Sequence, residues 1–163
     1  DARRAWELFR LICPVNHGTT PEQVAIYRVE PYVIAADVYA VAPHVGRGGW
    51  SWYTGSAGWM YRLIVESLLG LRIDGGERLR LEPVIPEDWN GFEIRYRHRE
   101  TPYRIRVRVV EADAEPALRI DGIASSDEAV TLVDDRREHE IQLDWPRGGL
   151  KRPESVSTIS TRQ

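Results

Sequence analysis

The stretch from Gly46 to Trp59 holds the residue types best suited to ligand chemistry, with five glycines and three tryptophans in fourteen positions. An apolar segment with helical spacing follows it at once. Glycine lets backbone N–H groups come close to a ligand, and the start of a helix adds unpaired donors at the positive end of its dipole. Tryptophan rings offer flat faces on which sugar rings stack. An anion pocket beside a sugar platform would suit phosphate-dependent cleavage of a glycoside.

Several side chains near this stretch are candidates for contacts with phosphate or sugar. Arg47 lies between glycines, so it is either a surface arginine or a ligand contact. Trp50 and Trp52 alternate with Ser51, which predicts that one tryptophan faces the core and the other a cavity. Glu30 precedes a proline, and we favour a first-turn acid that complements a helix dipole, or a structural hydrogen bond, over a catalytic carboxylate.

Other residues here have an ordinary structural interpretation. Thr54 stands where a helix N-cap is expected, and capping is compatible with anion binding. Trp59 lies within a predicted helix and is expected in the core. Asp37 lies in an apolar segment and requires a partner if it is buried, and Arg62 or Arg28 would supply an ion pair.

The first part of the chain has the apolar spacing of helices, which we predict over residues 2–13, 31–41 and 56–69. Pro14 ends the first and Gly70 ends the last. The middle helix is apolar nearly all round, as expected of a helix enclosed by neighbours. Three helices cannot bury so much apolar surface among themselves, so this part looks like the end of a larger α-helical domain.

After Gly70 the apolar period becomes two, which is typical of strands with one buried face. Residues 92–98 and 103–109 show the clearest alternation. Shorter predicted strands are separated by turn residues and cover 78–84, 117–121, 129–133 and 138–143. This pattern predicts an antiparallel β-sandwich and an α+β chain. The polar segment 146–163 is expected to be a mobile tail.

Arginines line one side of the two clearest strands, at positions 95, 97, 99, 104, 106 and 108. Such a stripe can bind phosphate-bearing polymers. We favour a solvated sheet face neutralised by Glu93, Glu100 and Glu111, or a face packed on another domain. His98 falls on the apolar side of its strand and is expected in the core.

Composition and charge argue against several classes of protein. Of the 163 residues, 42% are apolar and 29% charged, as in a globular domain. No run reaches the ~20 apolar residues that span a bilayer, and the net charge of −3 argues against nucleic-acid binding. Cys13 is the single cysteine, which excludes an internal disulfide and favours a reducing compartment. Because helical sequence follows Asp1 at once without an initiator methionine, we expect a piece of a longer protein.

Four segments form recognisable motifs: Cys13–His17, Tyr27–Val33, Gly46–Trp59 and Leu81–Trp89, the last with a Pro-x-Ile-Pro-x-x-Trp pattern. Together they resemble the C-terminal end of glycoside phosphorylases of the cellobiose/chitobiose phosphorylase family. Their order and spacing cover about residues 1–110, and beyond that only the strand pattern supports the match. The closest resemblance is to the phosphorylase-like region that ends bacterial cyclic β-1,2-glucan synthases.

The resemblance implies a fold and a domain division. Residues 1–70 would be the last helices of an (α/α)6 barrel with a phosphate-loop motif. Residues 71–145 would be a C-terminal β-sandwich of jelly-roll type, followed by the polar tail 146–163.

The resemblance also implies a reaction, the reversible phosphorolysis of a β-glucoside with inversion to α-glucose 1-phosphate. Inorganic phosphate is the co-substrate, and neither a metal nor an organic cofactor is implied. Thr54 and Gly55 match the Thr-Gly pair that binds phosphate in this family through a hydroxyl and a backbone N–H. The family's general-acid aspartate and a phosphate-binding histidine would lie upstream of Asp1, so no catalytic residue is predicted here. Ala36 replaces a glutamine that reaches phosphate in the disaccharide phosphorylases, which favours the glucan-synthase branch.

Three functions remain open on the sequence alone: part of a phosphorylase, a glucan-binding module without activity, or a structural module that braces a barrel or a dimer contact. We favour part of a phosphorylase, because a purely structural module does not require exposed tryptophans beside an anion site. The expected partners are a β-glucan oligosaccharide, phosphate, the rest of the parent polypeptide and, less directly, a second copy of it. Nucleic acid is not expected. The expected location is the cytoplasm, or the cytoplasmic region of an inner-membrane protein.

Overall fold

The computed structural model describes residues 2–52, 54–86 and 88–149, and it has helical segments first and strands after them. The helical segments are α1 (Ala2–Ile12), a 3₁₀ turn (Pro14–His17), α2 (Pro21–Tyr27), α3 (Thr54–Arg62) and a π-helical turn (Leu63–Leu68). The strands are β1 (Leu71–Asp74), β2 (Arg78–Leu81), β3 (Gly91–His98), β4 (Thr101–Val110), β5 (Ala117–Ile120), β6 (Ile123–Ser125), β7 (Ala129–Thr131) and β8 (His139–Pro146). The predicted α+β class is confirmed. The predicted tail falls outside the described residues from position 150 onward.

The ends of the helices follow local chemistry. Pro14 stops α1 as predicted, because proline lacks the N–H that would continue the ladder. Helix α2 was not predicted from the sequence, although its N-terminus carries clear capping residues. The Thr20 hydroxyl accepts a hydrogen bond from the Gln23 N–H, and Pro21 occupies the first helical position.

The helix predicted over 31–41 is wrong. That segment is irregular and pairs with the glycine-rich stretch instead, through a bridge between Val38 and Gly48. The Ala36 N–H donates to the Trp50 carbonyl, and the Gly49 N–H donates to the Asp37 carbonyl. Val38 is exposed, so the segment is not enclosed by described neighbours as the prediction required. Glycines allowed this close backbone pairing, and it outweighed the apolar composition.

The strands form a three-stranded sheet in the order β1-β2-β7 and a five-stranded sheet in the order β3-β4-β8-β5-β6. The short strands β1 and β6 were not predicted from the sequence. The prediction of a purely antiparallel arrangement is wrong, because β4 and β8 run parallel from Tyr103 opposite His139 to Val110 opposite Pro146. A parallel pair needs a long connection, which the chain makes through β5, β6 and β7.

One apolar cluster joins the inner faces of the two sheets, as in a β-sandwich. Ile105 on β4 and Ile141 on β8 lie directly opposite each other and are completely buried. Leu79 on β2 and Val130 on β7 face them from the other sheet. His98 is buried, as the alternation predicted.

The outer face of the five-stranded sheet carries the arginine stripe. Glu93 binds both Arg104 and Arg106 at 3.2 Å, and the hydrogen bond from Arg106 is the main cause that lowers the pKa of Glu93. Arg108 pairs with Asp144 at 2.9 Å. The predicted neutralised face is therefore present in the described chain. Its further carboxylates are not Glu100 and Glu111 but Glu140 and Asp144 of β8 and Glu77, which pairs with Arg99 at 3.7 Å.

Gly70 and Trp6 connect the helical part with the sheets. Gly70 has a φ of 72°, and a Cβ there would lie 2.2 Å from the Glu82 backbone, so only glycine fits between the last helical turn and β1. The Trp6 indole N–H donates to the carbonyl of Val84, and its ring lies 5.1 Å from the ring of Trp89. The start of α1 is thus held against the segment that leads into β3.

Candidate functional site

The start of α3 brings Thr54 and Gly55 to the surface as the first two residues of the helix. The first N–H groups of an α-helix have no partner within the helix and lie at the positive end of its dipole. A Cβ on Gly55 would meet no atom within 4 Å, so open space adjoins the backbone here. This geometry can accept an oxyanion. The sequence suggested Thr54 as the N-cap, whereas in the structure Thr54 is the first residue of the helix itself.

Both Trp50 and Trp52 are exposed, by 70% and 67%, so the prediction that one of them faces the core is wrong. The prediction relied on the alternation of an extended chain. Trp52 instead has a left-handed backbone with a φ of 63°, which breaks that alternation.

Glu30 and Tyr32 lie against the Trp52 ring. The Trp52 indole N–H donates to a Glu30 carboxylate oxygen at 3.4 Å, and the Tyr32 ring meets the Trp52 ring edge-on at 6.5 Å. Glu30 has no helix dipole to complement, because the segment 31–41 is not helical. Tyr32 was missed as a site residue, although its place in the Glu-Pro-Tyr-Val sequence next to Glu30 could have indicated it.

The glycines before Trp50 serve close packing within the chain. A Cβ on Gly48 would lie 2.5 Å from a Val29 methyl group, and a Cβ on Gly49 would lie 2.0 Å from the Asp37 carboxylate. Arg47 is exposed, and its carbonyl accepts a hydrogen bond from the Tyr39 N–H. The open backbone suited to a ligand therefore belongs to Gly55 and not to Gly48 or Gly49.

Trp59 was predicted to lie in the core, but it is 70% exposed. The guanidinium of Arg62 lies 5.4 Å from the centre of its ring, and Arg62 also binds Glu66 at 2.9 Å. The bond from Arg62 is the main cause that lowers the pKa of Glu66. No residue of α3 is buried within the described chain, which explains why helical position did not enclose Trp59.

Asp37 does not form the predicted ion pair. It is exposed, so its charge needs no buried partner. Arg62 binds Glu66, and the Arg28 side chain donates to the carbonyl of Ala25.

Two kinds of feature are absent from the ranges 2–52, 54–86 and 88–149. No three His, Cys, Asp or Glu side chains in these ranges are grouped as metal ligands would be. None of the helices there has the length and apolar character required to cross a bilayer.

Residues 1–70 match the sequence profile of the glycosyl hydrolase 94 superfamily, catalytic domain. The chain is 44% identical over 120 residues to the cyclic beta-(1,2)-glucan synthase NdvB of Rhizobium meliloti (strain 1021). This alignment covers 74% of the chain and 4% of NdvB. The chain is 29% identical over 118 residues to solabiose phosphorylase of Paenibacillus borealis, in an alignment that covers 71% of the chain and 15% of that relative. It is 39% identical over 62 residues to N,N'-diacetylchitobiose phosphorylase of Vibrio proteolyticus, 38% of this chain and 8% of the relative.

These alignments span only a small part of each relative, from 4% to 15% of its length. The matched family segment ends at residue 70, immediately before β1 begins at Leu71. The stretch Gly46–Trp59, with Thr54 and Gly55, lies inside it. The predicted resemblance is thereby confirmed: the chain carries, over residues 1–70, a region like the catalytic domain of the glycosyl hydrolase 94 superfamily.

Proposed function

We propose that this chain is the C-terminal part of an inverting β-glucan phosphorylase, or of the phosphorylase-like region of a cyclic β-1,2-glucan synthase. Its role is to hold phosphate and part of the sugar for reversible phosphorolysis to α-glucose 1-phosphate. The observation that carries the proposal is the exposed Thr54–Gly55 start of α3 within the segment that matches the catalytic domain. Relatives named as a cyclic glucan synthase and as phosphorylases support the same chemistry.

The phosphate would lie at the start of α3. The Thr54 hydroxyl and the first backbone N–H groups of the helix would donate to its oxygens, and hydrogen bonds to an anion are stronger than those between neutral groups. Gly55 would let the anion approach the backbone, since no side chain stands there. The charge of the nucleophile is thus held by fixed dipoles that need no reorganisation during the reaction.

The sugar would stack on the aromatic rings next to this helix. Trp50 and Trp52 are exposed, and Glu30 fixes the Trp52 indole. In the reaction, a phosphate oxygen bonds to the anomeric carbon from one face while the glycosidic C–O bond breaks on the other and its oxygen takes a proton. We assign that proton to an aspartate upstream in the longer polypeptide.

We further propose that inorganic phosphate is the only co-substrate and that the protein needs neither a metal nor an organic cofactor. The last barrel helices would be residues 1–70, and residues 71–145 would be the C-terminal sandwich. We place the reaction in the cytoplasm, in a polypeptide that contains the rest of an (α/α)6 barrel and that associates as a homodimer.

The proposal is tested by incubation of β-1,2-glucooligosaccharides with phosphate and measurement of glucose 1-phosphate. The longer polypeptide should form it, and the 163-residue chain alone should not, because the proton donor is supplied elsewhere. Product from the isolated chain, or none from an intact longer protein with any β-glucan, would contradict the proposal.

A second candidate is a glucan-binding or structural module without catalysis. The exposed rings of Trp50 and Trp52 favour the binding alternative, since they are accessible without any acid or phosphate. This function would be identified if the longer protein bound glucan with an affinity that does not depend on phosphate and formed no product.

A further inference from the structure

Strand β3 lies at one edge of the five-stranded sheet and pairs only with β4 within the described chain. Eight consecutive residue pairs run without a bulge from Gly91 opposite Arg108 to His98 opposite Thr101. Proteins commonly protect a sheet edge by a short strand, a proline or a bulge. β3 has none of these, so it presents a long and regular edge to another strand.

The backbone groups that face this edge belong to the odd-numbered residues of β3. The Asn90 carbonyl accepts a hydrogen bond from the Val109 N–H. Hydrogen-bonded pairs alternate in an antiparallel ladder, which directs the backbone of the even-numbered residues of β3 toward β4. Pro102, which has no N–H, accordingly stands opposite Arg97, whose backbone points away from β4. No described residue bonds to the outward N–H and carbonyl groups at positions 91, 93, 95 and 97.

The apolar side chains of β3 are incompletely covered. Phe92, Ile94 and Tyr96 pack against the core but stay partly exposed, whereas the residues opposite them on β4 are buried. An open cleft of about 310 Å³ adjoins Ile94 and Tyr96, with Val65 and Ile73 also in its lining. A strand added beside β3 would extend the sheet and cover this apolar row.

We propose that β3 pairs with β3 of a second copy of this chain, so that the two five-stranded sheets become one continuous sheet. Identical edge strands related by a two-fold axis perpendicular to the sheet run antiparallel, and each copy contributes the same surface. The inference specifies the contact surface of the homodimer proposed above and rests on that homodimer. It requires neither phosphate binding nor catalysis.

The charges of β3 favour one register. With the two-fold axis at Ile94, Glu93 lies opposite Arg95 of the second copy on both sides of the axis, and their outward backbone groups face each other. Phe92 then lies opposite Tyr96, so the apolar row pairs with itself. A shift by two residues places either two arginines or two glutamates directly opposite each other at the axis, and like charges there destabilise a sheet. The Arg95 side chain is 79% exposed and therefore accessible to the second copy.

The register is tested by disulfide formation in the full chain carrying Cys13→Ser, which leaves an introduced cysteine as the only one. Ile94→Cys should crosslink two copies under mild oxidation. Non-hydrogen-bonded residues opposite each other have Cα atoms about 4.5 Å apart, which a disulfide can span. Arg95→Cys is the matched control on the same strand and should not crosslink, because it lies opposite Glu93. Mass spectrometry of the crosslinked peptides identifies the bond.

Surface variants keep the test informative if Ile94→Cys fails to fold. Arg95→Pro removes an outward N–H that β4 does not use, so it should abolish the dimer in analytical ultracentrifugation while the chain stays folded. Arg95→Glu places a carboxylate opposite Glu93 twice in each dimer and should raise the dissociation constant of the dimer about tenfold. Arg10→Glu makes the same charge change at an exposed position on α1 and should leave it unchanged. Circular dichroism checks the fold of each variant.

Three results would overturn the proposal: a chain that stays monomeric at the highest soluble concentration, a dimer that survives Arg95→Pro, or crosslinking of Arg95→Cys in preference to Ile94→Cys. The Ile94→Cys crosslink should also form in the longer polypeptide. Its absence there would mean that another part of that polypeptide covers β3, which would equally contradict the proposal. A crosslinked dimer of the longer polypeptide that forms no glucose 1-phosphate would contradict the proposed reaction and not this contact.

Discussion

Gly55 has open space where a side chain would begin, so packing within the described chain does not require a glycine there. The same is true of Gly58, one turn further along α3. Glycine in a helix costs about 0.5–1 kcal/mol relative to alanine. A glycine that the fold does not need, at the start of a helix, is consistent with close approach of a ligand.

The pair Gly55→Ala and Gly58→Ala separates the ligand explanation from a purely structural one. Both substitutions should raise the free energy of unfolding by up to about 1 kcal/mol, because alanine is the better helix former. Only Gly55→Ala should raise the apparent KM for phosphate in the longer enzyme, since its methyl group would occupy the approach to the first N–H groups. Urea denaturation and phosphate kinetics measure the two effects. Equal kinetics in the two variants would mean that phosphate does not contact Gly55.

His139 lies between two carboxylates, with Nδ1 2.7 Å from Asp121 and Nε2 3.1 Å from Asp135. The hydrogen bond to Asp121 is the main cause that raises the pKa of His139 above its ordinary value of 6.5, and Asp135 adds to it. The bond to His139 in turn is the main cause that lowers the pKa of Asp121. The protonated ring donates to both carboxylates and ties β8 to the loops that carry them.

This geometry predicts a pH-dependent stability. The contribution of His139 should be fully present below about pH 6.5 and lost as the pH rises through the higher pKa of the folded state, because the folded protein binds the proton more tightly. Urea denaturation between pH 6 and pH 9 should show this decline in the full chain, and His139→Gln should remove it. An NMR titration of the ring gives the pKa directly in the unaltered protein. A value at or below 6.5 would contradict the ion-pair assignment.

At the scale of elements, β4 and β8 are the centre of the sandwich, and their alternation made them predictable. Residues 103–109 alternate strictly between apolar side chains and arginines, and the apolar ones are inside. The segment 31–41 was misread for the opposite reason. Its apolar residues suggested a helix, but Val33, Ile34 and Val38 are β-branched and fit an extended chain better. The segment instead pairs with the backbone of Gly48 and Gly49. A local sequence pattern cannot reveal such a pairing.

The importance of the central strands is tested with isoleucines of opposite exposure. Ile105→Ala in β4 should lower the free energy of unfolding by about 2–5 kcal/mol, since the residue is completely buried and its removal leaves a cavity. Ile123→Ala in β6 should change it by less than about 0.5 kcal/mol, because that side chain is 74% exposed. Chemical denaturation measures both. Similar losses in the two variants would mean that the apolar cluster is not centred on β4 and β8.

At the scale of the whole molecule, the family and the change from helices to strands were predictable, because motifs and periodicity are local properties of sequence. The parallel pairing of β4 with β8 and the contact of Trp6 with Val84 were not, because they join residues far apart in the chain. The exposure of Trp59 was also unpredictable, since periodicity does not tell which helix face has a neighbour. Among the site residues, the position of Thr54 and Gly55 at a helix start followed from sequence, while the pairing of Glu30 and Tyr32 with Trp52 required the fold.

The most direct test of the central claim is the phosphate dependence of phosphorolysis in the longer enzyme carrying Thr54→Val, with Thr54→Ser as the matched control. Loss of a hydroxyl that donates to an anion should raise the apparent KM for phosphate about 10- to 100-fold and leave the KM for glucan within about twofold. Thr54→Ser keeps the hydroxyl and should stay near the unaltered enzyme. An unchanged KM for phosphate in Thr54→Val would show that the start of α3 does not hold the anion.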